Sequence, residues 1–233
     1  MVKKSTHNNE HAIIRYRKEL LIGLIAGLVT LGLFTGYRWY RGHIERSAHA
    51  AYLECMQSYN GVVPSDSTKD SEEGARTFAN DQEKWQSVEQ DFFNAASNHS
   101  WSGLHGVFLA YAAEAQLKRG NIESAIATME KAIAAIPDAI LRSWFEVKCA
   151  LMKIDSEDSV ARAAGLATIE EFAQVQESSV FECAVYHLGN YHWVNRDFEA
   201  ARSYWNMLAA TNNQDRPSLW YSLAKPRLKL VQE

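Results

Sequence analysis

Residues 106–137, GVFLAYAAEAQLKRGNIESAIATMEKAIAAIP, decide the fold of this chain. Two alanine-rich segments surround Gly120, which together with the asparagine after it is typical of a helix C-terminus followed by the N-cap of a second helix. Small residues recur at Ala113, Ala125 and Ala132, where they would let two helices approach closely. The stretch therefore predicts two antiparallel helices joined by a tight turn.

This hairpin resembles the tetratricopeptide repeat, a 34-residue helix–turn–helix unit. That unit carries small residues at its eighth, twentieth and twenty-seventh positions, because its two helices and the next unit touch there. Counted from Gly106, these positions fall on the three alanines named above. The thirty-second position falls on Pro137, where the pattern expects proline. The resemblance implies that several such units stack into a solenoid.

A second match to the same unit starts at Glu182. Its eighth position is Gly189 and its twentieth is Ala201, whereas Leu208 departs from the expected alanine at the twenty-seventh. Arg196 stands where the first unit has its turn glycine. The two starts are 76 residues apart, which leaves room for one intervening unit with a looser motif.

Residues 20–37, LLIGLIAGLVTLGLFTGY, contain no charged side chain. As a helix this run would be about 27 Å long, close to the hydrocarbon thickness of a bilayer. Trp39 and Tyr40 extend it into the headgroup layer, which amphipathic rings prefer. We therefore predict a transmembrane helix.

Three other interpretations of the apolar run are weaker. A cleaved signal peptide needs a small-residue site directly after the run, but the nearest candidate, residues 48–50, lies more than ten residues downstream. A lipoprotein is disfavoured because Cys55 lies far past the run. A buried core helix would show a polar face, which this run lacks.

The charges that flank the run predict its orientation. Five basic residues precede it and three follow it soon after, which favours a cytoplasmic N-terminus and a C-terminal domain on the other side of the membrane. Small residues at Gly23, Gly27, Gly32 and Gly36 have the spacing that lets membrane helices pair. Glycines are common in membrane helices in any case, so helix pairing, and with it a homo-oligomer, stays an open alternative.

The remaining segments complete an all-α prediction: one N-terminal transmembrane helix followed by a tetratricopeptide-like α-solenoid of stacked helical hairpins. A C-terminal helix, kinked or split by Pro226, caps the stack. The predicted domains are a basic tail at 1–19, the transmembrane helix at 20–40, a helical stalk and linker at 41–74, and the repeat domain at 75–233. The predicted helices of the repeat domain span residues 75–97, 102–118, 122–136, 139–154, 158–176, 179–195, 198–211 and 217–231.

Composition excludes several classes of function. Residues 47–233 carry a net charge of −9, so the domain would repel nucleic acid. The eight histidines are scattered, and neither a phosphate-binding loop nor a nucleophile motif is present. We therefore predict no catalytic residue, no metal site and no cofactor. Cys149 and Cys183 are interpreted as buried thiols rather than as a disulfide, the alternative that the sequence leaves open.

A repeat stack offers a concave surface lined by the first helix of each unit. The residues predicted to line this partner-binding groove are Glu114, Lys118, Tyr186, Asn190 and Trp193. Tyr186 and Trp193 combine aromatic area with the amide of Asn190, a chemistry suited to peptide binding. In the alternative, both rings pack against the neighbouring repeat.

The layout as a whole resembles a bacterial family, the ancillary subunit of the Sec translocon. The sharpest local features are the segments GYRWY at 36–40, LKRGNIESA at 117–125 and DFEAAR at 197–202. The resemblance implies a non-enzymatic protein of the bacterial inner membrane with a cytoplasmic N-terminus and a periplasmic C-terminal domain. Its implied partners are translocon subunits and periplasmic chaperones or translocating clients. The alternatives are a structural scaffold in another envelope complex and an enzyme with an unrecognised site.

Overall fold

The computed structural model describes residues 17–64, 76–211 and 218–230. These residues are helical apart from turns and one isolated parallel β-bridge between Val62 and Thr77. The prediction that the chain is helical is therefore confirmed for this part of it. The nine helices in the described residues are α1 Arg17–Tyr59, α2 Asp81–Asn98, α3 His105–Lys118, α4 Ile122–Ala135, α5 Ala139–Ile154, α6 Ser159–Gln174, α7 Phe181–Val194, α8 Phe198–Thr211 and α9 Leu219–Leu230.

Helices α3 to α9 begin and end within three residues of their predicted bounds. The predicted start of α2 at residue 75 is wrong, because that helix begins at Asp81. The residues before it are extended: the N–H of Val62 donates to the carbonyl of Arg76 at 2.9 Å, which pins this segment to the end of α1. Asn80 then caps α2 by accepting from the N–H of Glu83 at 2.8 Å.

The chain divides into two compact units, Met1–Ser47 and Ala48–Glu233, and the boundary lies within α1. The first unit contains the apolar run. It belongs to the one helix among the described residues that is long and apolar enough to cross a membrane, judged by length and composition. None of its apolar window is buried inside the protein, whereas the apolar face of a core helix would be covered.

The second unit is a succession of helices, each packed against the next. Short turns join α3 to α4, α5 to α6 and α7 to α8, so the two helices of each pair run antiparallel. Three clusters of buried side chains follow the same order. The first includes Phe92 on α2 and Phe108 on α3, the second surrounds Met129 on α4, and the third surrounds Trp205 on α8.

The second half of α1 belongs to this core. Ala48 and Cys55 are buried in the first cluster, and the ring of Tyr59 lies 5.3 Å from that of Tyr111 on α3 and 5.5 Å from that of Trp85 on α2, measured between centroids. The predicted stalk and linker at 41–74 are therefore divided between the two units. From Ala48 onward the helix contributes to packing and does not act as a free spacer.

The turns α3–α4 and α7–α8 share one backbone geometry. Gly120 has φ +82° and Arg196 has φ +64°, and these two residues are 76 positions apart. The N–H of Gly120 donates to the carbonyl of Leu117 at 2.9 Å, and the N–H of Arg196 donates to that of Trp193 at 3.0 Å. The two donor residues are 76 positions apart, and so are the two acceptor residues.

The next residue in each turn also forms an equivalent backbone hydrogen bond. The N–H of Asn121 donates to the carbonyl of Gln116 at 3.0 Å, and the N–H of Asp197 donates to that of His192 at 2.9 Å. This pair of hydrogen bonds satisfies the carbonyls that a helix leaves open at its C-terminus. Two segments with limited sequence identity thus form the same turn.

Burial follows the same 76-residue offset. Met129 and Trp205 both have 0% exposure, although one side chain is much larger than the other. The larger ring is accommodated by Gly189, where an added Cβ would lie 2.2 Å from Nε1 of Trp205. The first hairpin has Ala113 at the position of that glycine, opposite a smaller methionine. Compared with the first hairpin, the second has a smaller residue at one position, Gly189, and a larger residue at the position that packs on it, Trp205.

Candidate partner-binding groove

The odd-numbered helices of the second unit contact one another in sequence and form a surface that we call the odd-helix surface. The hydroxyl of Tyr59 on α1 donates to Oε2 of Glu114 on α3 at 3.1 Å, and Lys148 on α5 forms an ion pair with Oε1 of the same carboxylate. Helices α5 and α7 share a cleft. Arg227 on α9 donates to Oδ1 of Asn190 on α7.

Glu114 and Lys118, predicted to line the groove, lie at the α1–α3 end of this surface. Glu114 already has two partners, and the side chain is only 15% exposed. Burial, and next the charge of Glu114, raise the pKa of Tyr59 to about 12, so this hydroxyl stays protonated and remains a donor. Lys118 is exposed, and its Nζ lies 6.0 Å from the ring centroid of Trp85 on α2.

Tyr186 and Asn190 lie at the opposite end and face α9. The ring of Tyr186 lies 5.4 Å from that of Trp220, and the guanidinium of Arg227 lies 5.6 Å from the same tyrosine ring. Tyr186 is only 8% exposed as a result. Tyr186 is therefore covered by α9, whereas Asn190 is half-buried and its amide oxygen is used by Arg227.

Trp193 has different contacts. Its ring is 5.0 Å from that of Phe198 and 5.8 Å from that of Trp205, so it packs between the two helices of its own hairpin. Tyr186, Asn190 and Trp193 have i, i+4 and i+7 spacing on α7. Tyr186 and Asn190 contact α9, whereas Trp193 contacts the second helix of its own hairpin.

An open cleft of about 450 Å³ lies between α5 and α7 on the odd-helix surface, and it includes Asn190. We call it the α5–α7 cleft. Its apolar wall contains Leu151, Ile154 and Val194, and the last of these is 78% exposed. The other lining residues are Asp155, Arg162, His187, Tyr191 and Asn195.

The polar groups of the cleft are partly fixed by the protein. Arg162 donates to the carbonyl of Ser156 at 2.8 Å, and Asn195 donates to that of Tyr191 at 2.8 Å. Burial lowers the pKa of His187, and the positive charge of Arg227 lowers it further, while Asp155 opposes the shift. The cleft therefore combines apolar walls with amides and a neutral imidazole.

His187 was not among the predicted groove residues, although the spacing of neighbouring side chains could have indicated it. His187, Tyr191 and Val194 have i, i+4 and i+7 spacing, which places them on one side of α7. Asp155 and Arg162 could not be found in this way, because they reach the cleft from the α5–α6 turn and from α6.

A second cleft of about 580 Å³ lies between the α3–α4 and α5–α6 turns. Its charged lining residues, Glu123, Glu157 and Asp158, are all acidic. The carboxylate of Asp158 accepts from the N–H of Val160 at 2.8 Å and so is used in capping α6. None of the five predicted groove residues lines this cleft, and we do not assign the partner site to it.

The three cysteines are free thiols buried within the helical core. Burial raises the pKa of Cys183 to about 12 and that of Cys55 to about 11, and it also raises the pKa of Cys149. Thiols in this state are poor nucleophiles. Within the described ranges no group of three or more His, Cys, Asp or Glu side chains could hold a metal ion.

Gly23, Gly27, Gly32 and Gly36 are exposed on α1, and a Cβ built at any of them meets no atom within 4 Å. At about 100° per residue, the first two glycines lie on the opposite side of the helix from the last two. A single helix–helix contact could therefore use one pair only.

No protein-family model matches this chain, and neither a curated protein nor a solved structure matches it.

Proposed function

We propose that this chain is a single-pass membrane protein whose tetratricopeptide-like solenoid binds protein partners through the α5–α7 cleft. The apolar run supports the membrane anchor, because it is long enough to cross a bilayer and none of its apolar window is covered by the protein. The anchor holds the helical domain close to its partners without contributing chemistry.

The solenoid proposal is supported by the 76-residue offset. Turn geometry, helix-terminal hydrogen bonds and the burial of Met129 and Trp205 all repeat at this spacing. Between the two hairpins lies a third, α5 and α6, which packs against α4 on one side and α7 on the other. Stacked hairpins of this kind present the first helix of each pair on one continuous surface.

The α5–α7 cleft is the observation that carries the binding proposal. An extended peptide needs apolar walls for its side chains and amides for its backbone, and the cleft offers both. Val194 is the most accessible apolar group in it, and Asn190 supplies an amide whose oxygen already accepts from Arg227.

The partner class follows from the resemblance to the ancillary subunit of the Sec translocon. On this proposal the N-terminus lies in the cytoplasm and the helical domain lies in the periplasm, where it contacts chaperones or translocating clients beside the translocon. A reporter fused after Glu233 tests the orientation: activity of a periplasmic reporter is expected, and activity of a cytoplasmic reporter alone would overturn it.

Binding is tested with a matched pair of exposed valines. Val194 lines the cleft and is 78% exposed, whereas Val160 is 74% exposed on α6 and lies outside it. The full chain is purified in mild detergent after crosslinking in cells, and the recovered proteins are identified. We expect Val194→Glu to reduce partner recovery about tenfold, equivalent to about 1.4 kcal/mol. Val160→Glu should leave recovery unchanged.

Exchange of residues 20–40 for an unrelated transmembrane segment separates cleft binding from helix pairing. Partners held by the cleft are retained after the exchange, whereas partners held only by the membrane helix are lost. Equal recovery from Val194→Glu and the unsubstituted chain would show that the cleft does not bind them.

A further inference from the structure

The last helix of the chain has two apolar sides. Ala224 and Leu228 are buried against the preceding helices. Leu219, Leu223 and Leu230 are 66%, 44% and 63% exposed. At about 100° per residue these three leucines share one side of α9, opposite the buried side. We call them the leucine stripe.

Charge distinguishes α9 from the rest of its domain. The helix contains Lys225, Arg227 and Lys229 and no acidic residue, although residues 47–233 together carry a net charge of −9. Lys225 and Lys229 are exposed and lie about 140° and 100° around the helix from the leucine stripe, while Arg227 is bonded to Asn190. An apolar side combined with basic residues on the polar side is the pattern of a helix that lies in a membrane interface.

An outward leucine stripe is not required by the architecture. Exposed residues on α2, near the other end of the helical series, are polar, and they include Asp81, Glu83, Gln86 and Gln90. Terminal helices of a repeat stack need such a polar outer side for solubility. The stripe on α9 breaks this rule, which indicates that a further surface covers it.

Neither end of the helical series of a second copy matches that surface well. The polar side of α2 offers no apolar complement to three leucines. Pairing of α9 with another α9 through the stripe would leave the basic side of each helix without an anionic partner. The three leucines favour an apolar covering surface, and the exposed lysines favour one that is also anionic.

We propose that α9 docks its leucine stripe into the interface of an anionic lipid bilayer. In this arrangement the leucines enter the boundary of the acyl chains, and Lys225 and Lys229 contact the phosphates of the headgroups. The inference rests on the membrane anchoring proposed above. Residues 41–47 are all that separates the predicted transmembrane helix from the helical domain, so the bilayer is present at high effective concentration.

The test uses the full chain reconstituted in vesicles and labelled at one introduced cysteine with an environment-sensitive fluorophore. Ser222→Cys places the label beside the leucine stripe, and Gln90→Cys places it on the polar side of α2. The native thiols are buried and do not compete for label under native conditions. Quenching by lipids that carry a spin label in the acyl chain is measured with about 30% phosphatidylglycerol and with phosphatidylcholine alone.

In anionic vesicles we expect quenching at position 222 to exceed that at position 90 at least threefold. The excess should fall in phosphatidylcholine alone, in Lys225→Glu/Lys229→Glu, and in Leu219→Ser/Leu223→Ser/Leu230→Ser. Helix content measured by circular dichroism checks that each variant is folded.

Two results would overturn the inference. In one, the labels at 222 and 90 are quenched equally. In the other, the emission of the label at 222 shows an apolar environment, but the spin-labelled lipids do not quench it. This result would identify an acidic protein or a second copy as the partner that covers the stripe. Flotation of the vesicles distinguishes failure of the α9 docking proposal from failure of the membrane-anchor proposal. A chain that floats without quenching at 222 refutes only the docking of α9, and a chain that does not float refutes the anchor as well.

Discussion

Arg196 occupies the left-handed backbone conformation that Gly120 occupies 76 residues earlier, with φ values of +64° and +82°. Glycine adopts this conformation at no steric cost, whereas a side chain crowds its own carbonyl there. The α7–α8 turn therefore keeps the geometry of the α3–α4 turn despite an unfavourable residue. Neighbouring contacts, including the packing of Trp193 on Trp205, hold the hairpin in place.

Replacement of this arginine by glycine should stabilise the domain. Relief of the left-handed conformation contributes about 1–2 kcal/mol, and the greater freedom of glycine in the unfolded chain removes about 0.4–1 kcal/mol of that gain. We expect Arg196→Gly to raise the free energy of unfolding by about 0.5–1 kcal/mol, measured by urea unfolding of the full chain in detergent.

Gly120→Ala is the matched control and should have the opposite sign. No atom lies within 4 Å of a Cβ built at Gly120, so any loss reports backbone strain and not a clash. A loss of about 0.5–1 kcal/mol is expected, because the backbone strain exceeds the gain from the less flexible unfolded chain. Stability changes of the same sign for Arg196→Gly and Gly120→Ala would contradict the equivalence of the two turns.

A second prediction concerns the exchange of volume between Gly189 and Trp205. Gly189→Ala places a methyl group against the buried indole and should cost about 2–3 kcal/mol. Adding Trp205→Met recreates the Ala113 and Met129 combination of the first hairpin and should recover part of that loss. It also removes an indole N–H that has no hydrogen-bond partner among the described residues.

The measurement is a double-mutant cycle on unfolding free energies. We expect the double variant to be more stable than the sum of the single changes by about 1–2 kcal/mol, since both residues fill one space. Additive losses would mean that the two hairpins use these positions differently.

Much of the fold could be predicted because its determinants are local. Gly120 ends one helix and Asp138 caps another, and the carboxylate of Asp138 accepts from the N–H of Leu141 at 2.7 Å as its N-cap position requires. The start of α2 was mispredicted since its cause is not local. Thr77 pairs with Val62, which lies outside that helix, and no helix period contains this information.

The groove was predicted less well, because side-chain position depends on the neighbouring helices. Tyr186 and Asn190 are positions five and nine of the second tetratricopeptide match, and their contacts with α9 depend on how that helix packs. Trp193 is drawn into its own hairpin because Gly189 makes room for Trp205 beneath it. The sequence of one hairpin does not predict either the packing of α9 or the contact between Trp193 and Trp205.

The environment of His187 predicts a pH dependence. Burial and then the charge of Arg227 lower the pKa of this imidazole below its ordinary value of 6.5. The unfolded chain consequently binds the proton more tightly than the folded chain. The contribution of the neutral imidazole to stability is present above pH 6.5 and is lost as pH falls from that value through the folded pKa.

The pKa is measured directly by an NMR titration of the histidine ring in the full chain. We expect a value below 6.5 for His187 and a shift towards the ordinary value in Arg227→Met, which removes the second cause. His187→Gln should flatten the dependence of unfolding free energy on pH as pH falls below about 6.5. A folded pKa at or above 6.5 would contradict the burial of this side chain.

The membrane anchor is tested with leucines of similar exposure in the two halves of α1. Leu24 and Leu28 lie in the apolar run and are 65% and 61% exposed, and Leu53 is 65% exposed beyond it. An arginine near the centre of a membrane span costs about 2.5–3.5 kcal/mol in insertion, so Leu24→Arg/Leu28→Arg should release most of the chain from membranes into alkaline carbonate extracts. Leu53→Arg should leave it in the membrane fraction, because that residue lies on the folded domain. If both variants stay in the membrane fraction, the apolar run is not what anchors the chain. If the unsubstituted chain is released without cleavage, the chain has no membrane anchor.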